Sequence, residues 1–327
     1  MPNRFASVLI AFALCSAPIA ALAQSAAPSA AKSAPSTTVA TVTIQAPPKP
    51  KVIEKQTFTF VQSYAAVQNP EIGQIGRWQD PVCVQVVGLL QADQAALIKA
   101  RIEGVAKAVG VPAPGANCTA NVEIVVTDQP QHVMDAVAER REYLLGYYHI
   151  HDHDRLKQVT HPIQAWYVTA TKGNGEGASV LALNGLGQYA QFRTVVIDDP
   201  RNRPPVGCAD SRLTTSCLES EFANVFIVVD SKAVEGKELG LVADYLVMLA
   251  LSEPRSLDGC GAMSSVIDLF AKPACPGRDA PDGLTPSDAA YLTSLYAADL
   301  QAKKAVEQTD IANRMAKILI QANTAGH

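Results

Sequence analysis

Aromatic residues are scarce in this chain: Phe, Trp and Tyr together fill 6 % of its 327 positions, too few for rows of base-stacking platforms. Charge is scarce as well. Asp, Glu, Lys and Arg make up 18 %, below the roughly 25 % usual for globular domains. The net charge is −4 and the isoelectric point is near 5.9, whereas a nucleic-acid footprint lifts a domain's value above about 9. Composition therefore argues against a nucleic-acid partner. No uninterrupted apolar run reaches the about 20 residues of a spanning helix, so the mature chain is expected to hold no integral membrane segment. The cysteines are widely spaced, and none forms the close C-x-x-C pairs of a structural zinc site. A P-loop and a G-x-S-x-G nucleophile elbow are missing too.

What is there begins with an address. Arg4, the apolar stretch 8–14 and Ala21-Leu22-Ala23 before Gln24 read as a signal peptide over 1–23. Cys15 would serve a lipoprotein, but Phe12-Ala13-Leu14 puts a bulky leucine where a small residue is wanted. Residues 24–51 are rich in Ala, Ser, Thr and Pro and end in Pro47-Pro48-Lys49-Pro50. Such a stretch buries too little apolar surface to offset its ordering entropy, so it is expected to be a disordered spacer. Residues 52–327 then form one domain, periplasmic or secreted.

Cys15 leaves with the signal, and six cysteines stay. An even number in an exported chain points to disulfides. The spacing of apolar residues predicts a strand over 82–88, a helix over 91–109 and a second strand over 120–127. Strand–helix–strand units are parallel and right-handed in nearly all cases, which brings Cys83 and Cys118 to the same end of neighbouring strands. The other four pair most simply in sequence order, Cys208 with Cys217 and Cys260 with Cys275. Once all are oxidised, none is left as a thiolate nucleophile.

The rest of the pattern predicts an α/β domain with an antiparallel insertion and a helical C-terminal third. Leu97, Arg101, Val105 and Val109 form the expected stripe of the first helix, and 130–145 reads as a second. Strands are expected at 165–170, 179–183, 192–197 and 225–229, with Gly and Asn clusters at 173–177 and 184–185 as hairpin turns. Residues 238–252 are apolar almost all round, which marks a buried helix. Thr285 and Pro286 open the next helix as cap and first residue, and Ile311, Met315, Ile318 and Leu319 stripe the last.

Two clusters carry chemistry. His149, His151 and His153 alternate, with His161 eight residues on; imidazoles on one face suit zinc or copper. They are candidate metal ligands, and a metal-dependent hydrolase using them is the alternative function. The bland reading is a polar loop ahead of a strand. The charged run Asp198, Asp199, Arg201 after a strand reads as a solvated loop, while Asp210, Arg212 and Glu219, in or beside the Cys208–Cys217 loop, fit a small binding feature and a surface staple equally well.

The second cluster is a resemblance. The helix with Ala243, Asp244, Tyr245, Leu246 and Val247, the turn Ser264-Ser265-Val266-Ile267, and the segment Gly283-Leu284-Thr285-Pro286-Ser287-Asp288 follow one another. That order resembles the C-terminal half of secreted zincin-like, metzincin-related proteins. The resemblance implies a zincin-like mixed sheet, an H-E-x-x-H helix, a methionine turn beneath the metal and a Leu-Thr-x-x-Asp helix below. Laid on that motif, both imidazole positions hold Ala243 and Val247, the glutamate is Asp244, and the turn methionine falls at Ile267, with Met263 nearby. Zinc catalysis needs three protein ligands and an open water position, and alanine and valine cannot ligate. The expectation is a non-catalytic exported protein without cofactor, binding an unknown peptide or protein of the cell envelope in the old cleft. Asp244 is expected as a buried, hydrogen-bonded carboxylate and stands as the one catalytic candidate.

Overall fold

The computed structural model describes residues 48–67, 73–146, 153–173, 179–181 and 218–325. The signal peptide and nearly all of the spacer lie outside them. So does the strand expected at 192–197. The first element is one that the proline-rich composition masks. Helix α1 (Pro50–Tyr64) starts with proline in its first turn, where a missing N–H is harmless. Pro50 and Lys51, assigned to the spacer on composition, belong to this helix. Its buried residues Ile53, Thr57, Phe60, Val61 and Tyr64 recur every three or four positions, as a core-facing stripe must.

Strand β1 (Val84–Val87), helix α2 (Ala92–Ala108) and strand β2 (Val122–Thr127) form the expected parallel unit, with Val84 opposite Val122 and Val87 opposite Val125. The turn into α2 needs Gly88. Its φ is +89°, and a Cβ there would stand 1.9 Å from the Val126 carbonyl oxygen. Cys83 and Cys118 are joined in a disulfide. Beside them Asn121 Oδ1 accepts from the Cys83 amide at 2.8 Å, while its Nδ2 donates to the Pro81 carbonyl at 2.9 Å. Helix α2 is turned by one residue from expectation. Ile98, Ile102 and Ala106 are buried, while Leu97 is 45 % exposed. The unbroken aliphatic row wins over the row interrupted by Arg101.

Helix α3 (Pro130–Arg140) ends sooner than the pattern suggests. Arg141, at φ −138°, breaks it, and a short 3₁₀ turn covers Glu142–Leu145. One helical turn, α4 (His153–Leu156), precedes the long strands. Those are β3 (Ile163–Gly173), the short β4 (Ser179–Leu181) and β5 (Leu218–Asp230). The sheet runs β1-β2-β5-β3-β4. Strand β5 is parallel to β2 and antiparallel to β3, with a bulge at Val168/Thr169, and β3 is antiparallel to β4. The architecture is mixed α/β.

Side chains alternate across this sheet. The inner face presents Val84, Val122, Ile124, Ile163, Tyr167, Val225, Ile227 and Val229 to the main core. That core is filled by α1, α2, α5 (Leu239–Leu251), α6 (Pro286–Ala297) and α7 (Lys304–Ala325), with α1 and α6 packed on α7 and α2 on α5. The outer face presents Trp166, Phe226 and Val228 to Met134, Val137, Leu144 and Leu145 of α3 and the 3₁₀ turn. Inside the main core a charged pair clamps residues 73–79 to α6 and α7. Arg77 Nη2 donates to Glu307 Oε1 at 2.7 Å, and the side chains are 2 % and 0 % exposed. The Ile75 amide donates to Glu307 Oε2 at 2.9 Å, and Arg77 Nη1 donates to the Leu295 carbonyl. Among the described residues no helix is long and apolar enough to cross a membrane.

Candidate functional site

Helix α5 forms because ten consecutive residues from Val242 to Leu251 are apolar or small enough to bury, with Asp244 the one charge among them. Ala243 and Val247, at the positions where the resemblance wants imidazoles, are both 0 % exposed in the main core. These two side chains therefore contact other core residues, and neither is open to a ligand. Asp244 is 7 % exposed and fully engaged. Arg101 Nε donates to its Oδ1 at 2.5 Å, and the Leu284 amide donates to Oδ2 at 2.9 Å. The same bond holds the Arg101 guanidinium above its ordinary value. Gly283 makes the approach possible, since a Cβ there would sit 2.9 Å from Oδ2. A carboxylate held by a guanidinium and an amide ties α2 to the segment ahead of residue 285.

The three segments that carry the resemblance meet in space. Thr285 and Asp288 form a reciprocal cap at the start of α6. Asp288 also accepts from Ser265 Oγ at 2.6 Å and from the Val266 amide at 2.8 Å, which ties the 3₁₀ turn Val266–Phe270 to α6. Ser265 caps that turn in the same manner, with Asp268 as its partner. Burial pushes the Asp288 carboxyl up, and the bonds from Ser265, Thr285 and Val266 pull against it. Met263 and Ile267 lie in this region as packing groups of the core.

The other candidates fare differently. His149 and His151 lie outside the described residues, as do Cys208 and Cys217. His153 stands between carboxylates, 3.5 Å from Glu142 Oε1 and 3.4 Å from Asp154 Oδ1. His161 bonds through Nδ1 to the Thr160 hydroxyl at 2.9 Å and through Nε2 to Asp258 Oδ1 at 3.3 Å. Asp258 also accepts from Ser256 Oγ, and that bond first and His161 second hold its carboxyl below the usual range. Among the described residues no three His, Cys, Asp or Glu side chains gather as a metal site. Cys260 and Cys275 are joined in a disulfide, as sequence order suggests.

An open concavity lies on the other side of the sheet, and the sequence reading missed it. A groove of about 400 Å³ runs between α3 and the outer faces of β1 and β2. Val87, Val125 and Phe226 floor it, Val133, Ala136 and Val137 wall it, and His132 and Arg140 stand at its lip. Glu123 is neutralised there: Arg141 donates to both its oxygens at 2.8 Å. That fork raises the Arg141 guanidinium first, with help from Tyr143. The sequence signal is the row His132, Ala136, Arg140, one turn apart on α3. One further buried acid stands out in the core. Glu253 is 8 % exposed, and burial raises its carboxyl to about 8. No family model matches the sequence, and neither a curated protein nor a solved structure does.

Proposed function

We propose that this chain is an exported, non-catalytic binding protein of the periplasm or the outside, built on a zincin-like domain whose metal helix has become a core element. The observation that carries the reading is the burial of Ala243 and Val247 around an Asp244 locked to Arg101 and Leu284. A zinc hydrolase needs ligands and an open water position at this helix, and these side chains supply packing in their place. The interlock of the Ser265 turn with the Asp288 helix supports the zincin-like reading of the order of segments. The two cross-links suit an oxidising compartment. The partner belongs to the cell envelope and is a peptide or protein.

Elemental analysis of the purified protein after incubation with zinc tests this, together with an assay on an unfolded protein substrate. The expected result is no cleavage and no stoichiometric zinc that depends on Asp244. Cleavage that is lost in Asp244→Asn overturns the reading. Metal or activity lost in a His149→Ala, His151→Ala, His153→Ala triple variant establishes the hydrolase alternative in its place.

A further inference from the structure

Among the described residues, no second helix lies beside α3 over the outer face of β1 and β2. Sheets in α/β domains are covered by helices because each apolar face must be buried. Here α3 and the turn after it shield Trp166, Phe226 and Val228. The outward residues of β1 and β2, Gln85, Val87, Glu123 and Val125, are left as the floor of the groove. Val87 is 44 % exposed, and Leu90 just beyond the end of β1 is fully exposed. A strand surface beside an existing helix has the shape that a second helix fills, with axes about 8–10 Å apart.

We propose that this groove docks an amphipathic helix of a partner protein, its aliphatic stripe on Val87, Val125 and Val133 and its flanking carboxylates on the α3 lip. The proposal rests on the reading of the chain as a binding protein and names the site and the chemistry of its partner. The lip decides the sign of the charge. His132, Ala136 and Arg140 stand in a row, so the two polar ends are about 12 Å apart at 1.5 Å per residue. Ala136, the small residue between them, lets a neighbouring helix come close. Arg140 faces Glu139 at 3.7 Å with both side chains over 70 % exposed, an arrangement of little worth in water, so its charge is open to a partner. Arg141 is engaged with Glu123, which keeps that acid from repelling an incoming carboxylate. Acidic residues two turns apart on the partner helix meet His132 and Arg140; lysines there would put like charge on Arg140. Apolar anchors in a groove with a polar rim are the general form of helix recognition.

The test uses the full chain and two labelled synthetic helices of about five turns. Both carry leucines three and four apart, one with glutamates and the other with lysines two turns apart beside the stripe. Fluorescence anisotropy at low salt is expected to show the glutamate helix binding at least about tenfold more tightly, a preference that shrinks as salt screens it. Arg140→Glu is expected to reverse the preference. Ala136→Trp, which fills the groove from a half-exposed site, is expected to weaken both helices about tenfold or more, with Val87→Lys as the second probe should that variant fold poorly. Binding of the glutamate helix that is unchanged by Arg140→Glu and by groove filling overturns the groove as the site and leaves the binding reading standing. Absence of binding by either helix to the wild type overturns the proposal. Cleavage of the helices by wild type and groove variants alike overturns the non-catalytic reading instead.

Discussion

The two sides of the sheet have been treated in opposite ways. On the inner side five helices close over Val122, Ile124, Ile227 and their neighbours, and several charged groups there are held in clamps: Arg77 with Glu307, Asp244 with Arg101, Asp288 with Ser265. On the outer side, among the described residues, α3, the 3₁₀ turn and Leu156 of α4 pack on Trp166, Phe226 and Val228, and a groove is left beside α3. The inner side holds the segments whose order resembles a metalloprotease, and it is closed. The outer side carries none of that resemblance, and it is open. Helix α5, with Ala243 and Val247 in the core, spends its apolar surface on packing, whereas Val87 on the outer side of β1 keeps much of its surface exposed.

The sharpest way to break this contrast is to open the inner side. Arg77→Ala leaves Glu307 buried without its cation, and such a loss is expected to lower stability by about 3–5 kcal/mol, read by urea denaturation. The paired change Arg77→Met with Glu307→Leu is expected to lose much less. The next effect is one of pH. Glu253 holds its proton up to about 8 in the folded chain, against about 4.3 when unfolded. The stabilisation it gives is therefore complete below pH 4 and is lost as pH rises to 8. The melting temperature is expected to fall across that window, and Glu253→Gln is expected to flatten the slope.

Asp244→Ala is expected to cost about 1–3 kcal/mol, because the half-buried Leu284 amide loses its acceptor. Arg101, nearly half exposed, can turn to water. Thr285→Ala removes a helix cap and is expected to cost about 1 kcal/mol, measured in the same denaturation series. On the outer side, Leu90→Ser is expected to change stability by less than about 0.5 kcal/mol. A large loss there would erase the contrast, because it would mean that the exposed end of β1 is already packed.

The strands were legible where β-branched residues repeat, as in 122–127 and 225–229. Helix α6 was legible from Thr285 and Pro286, and α5 from its unbroken apolar run. Helix α1 was not, because Pro47, Pro48 and Pro50 look like an extended spacer until the stripe at 53, 57, 60, 61 and 64 is counted. The phase of α2 was missed by one residue for want of knowing that Arg101 reaches Asp244, 143 positions away. Asp244 as a bonded buried carboxylate could be argued from sequence, since an unpartnered one would be too costly; its partners could not. The Arg77–Glu307 pair is beyond any local pattern, 230 residues apart. The groove is invisible for another reason: it is defined by a strand surface on β1 and β2 that, among the described residues, only α3 borders.

Helices α1 and α7 lie against each other, one at the start of the described residues and the other at their end. A chain that emerges in order, first residue first, must hold Ile53, Phe60 and Val61 without their partners until Ile311, Met315 and Leu319 arrive. Contacts between such distant segments form slowly, because the intervening loop must close first. Folding of this domain is thus timed by its last helix, and a truncation that removes α7 leaves α1 as a sticky, unfinished edge from the moment it is made.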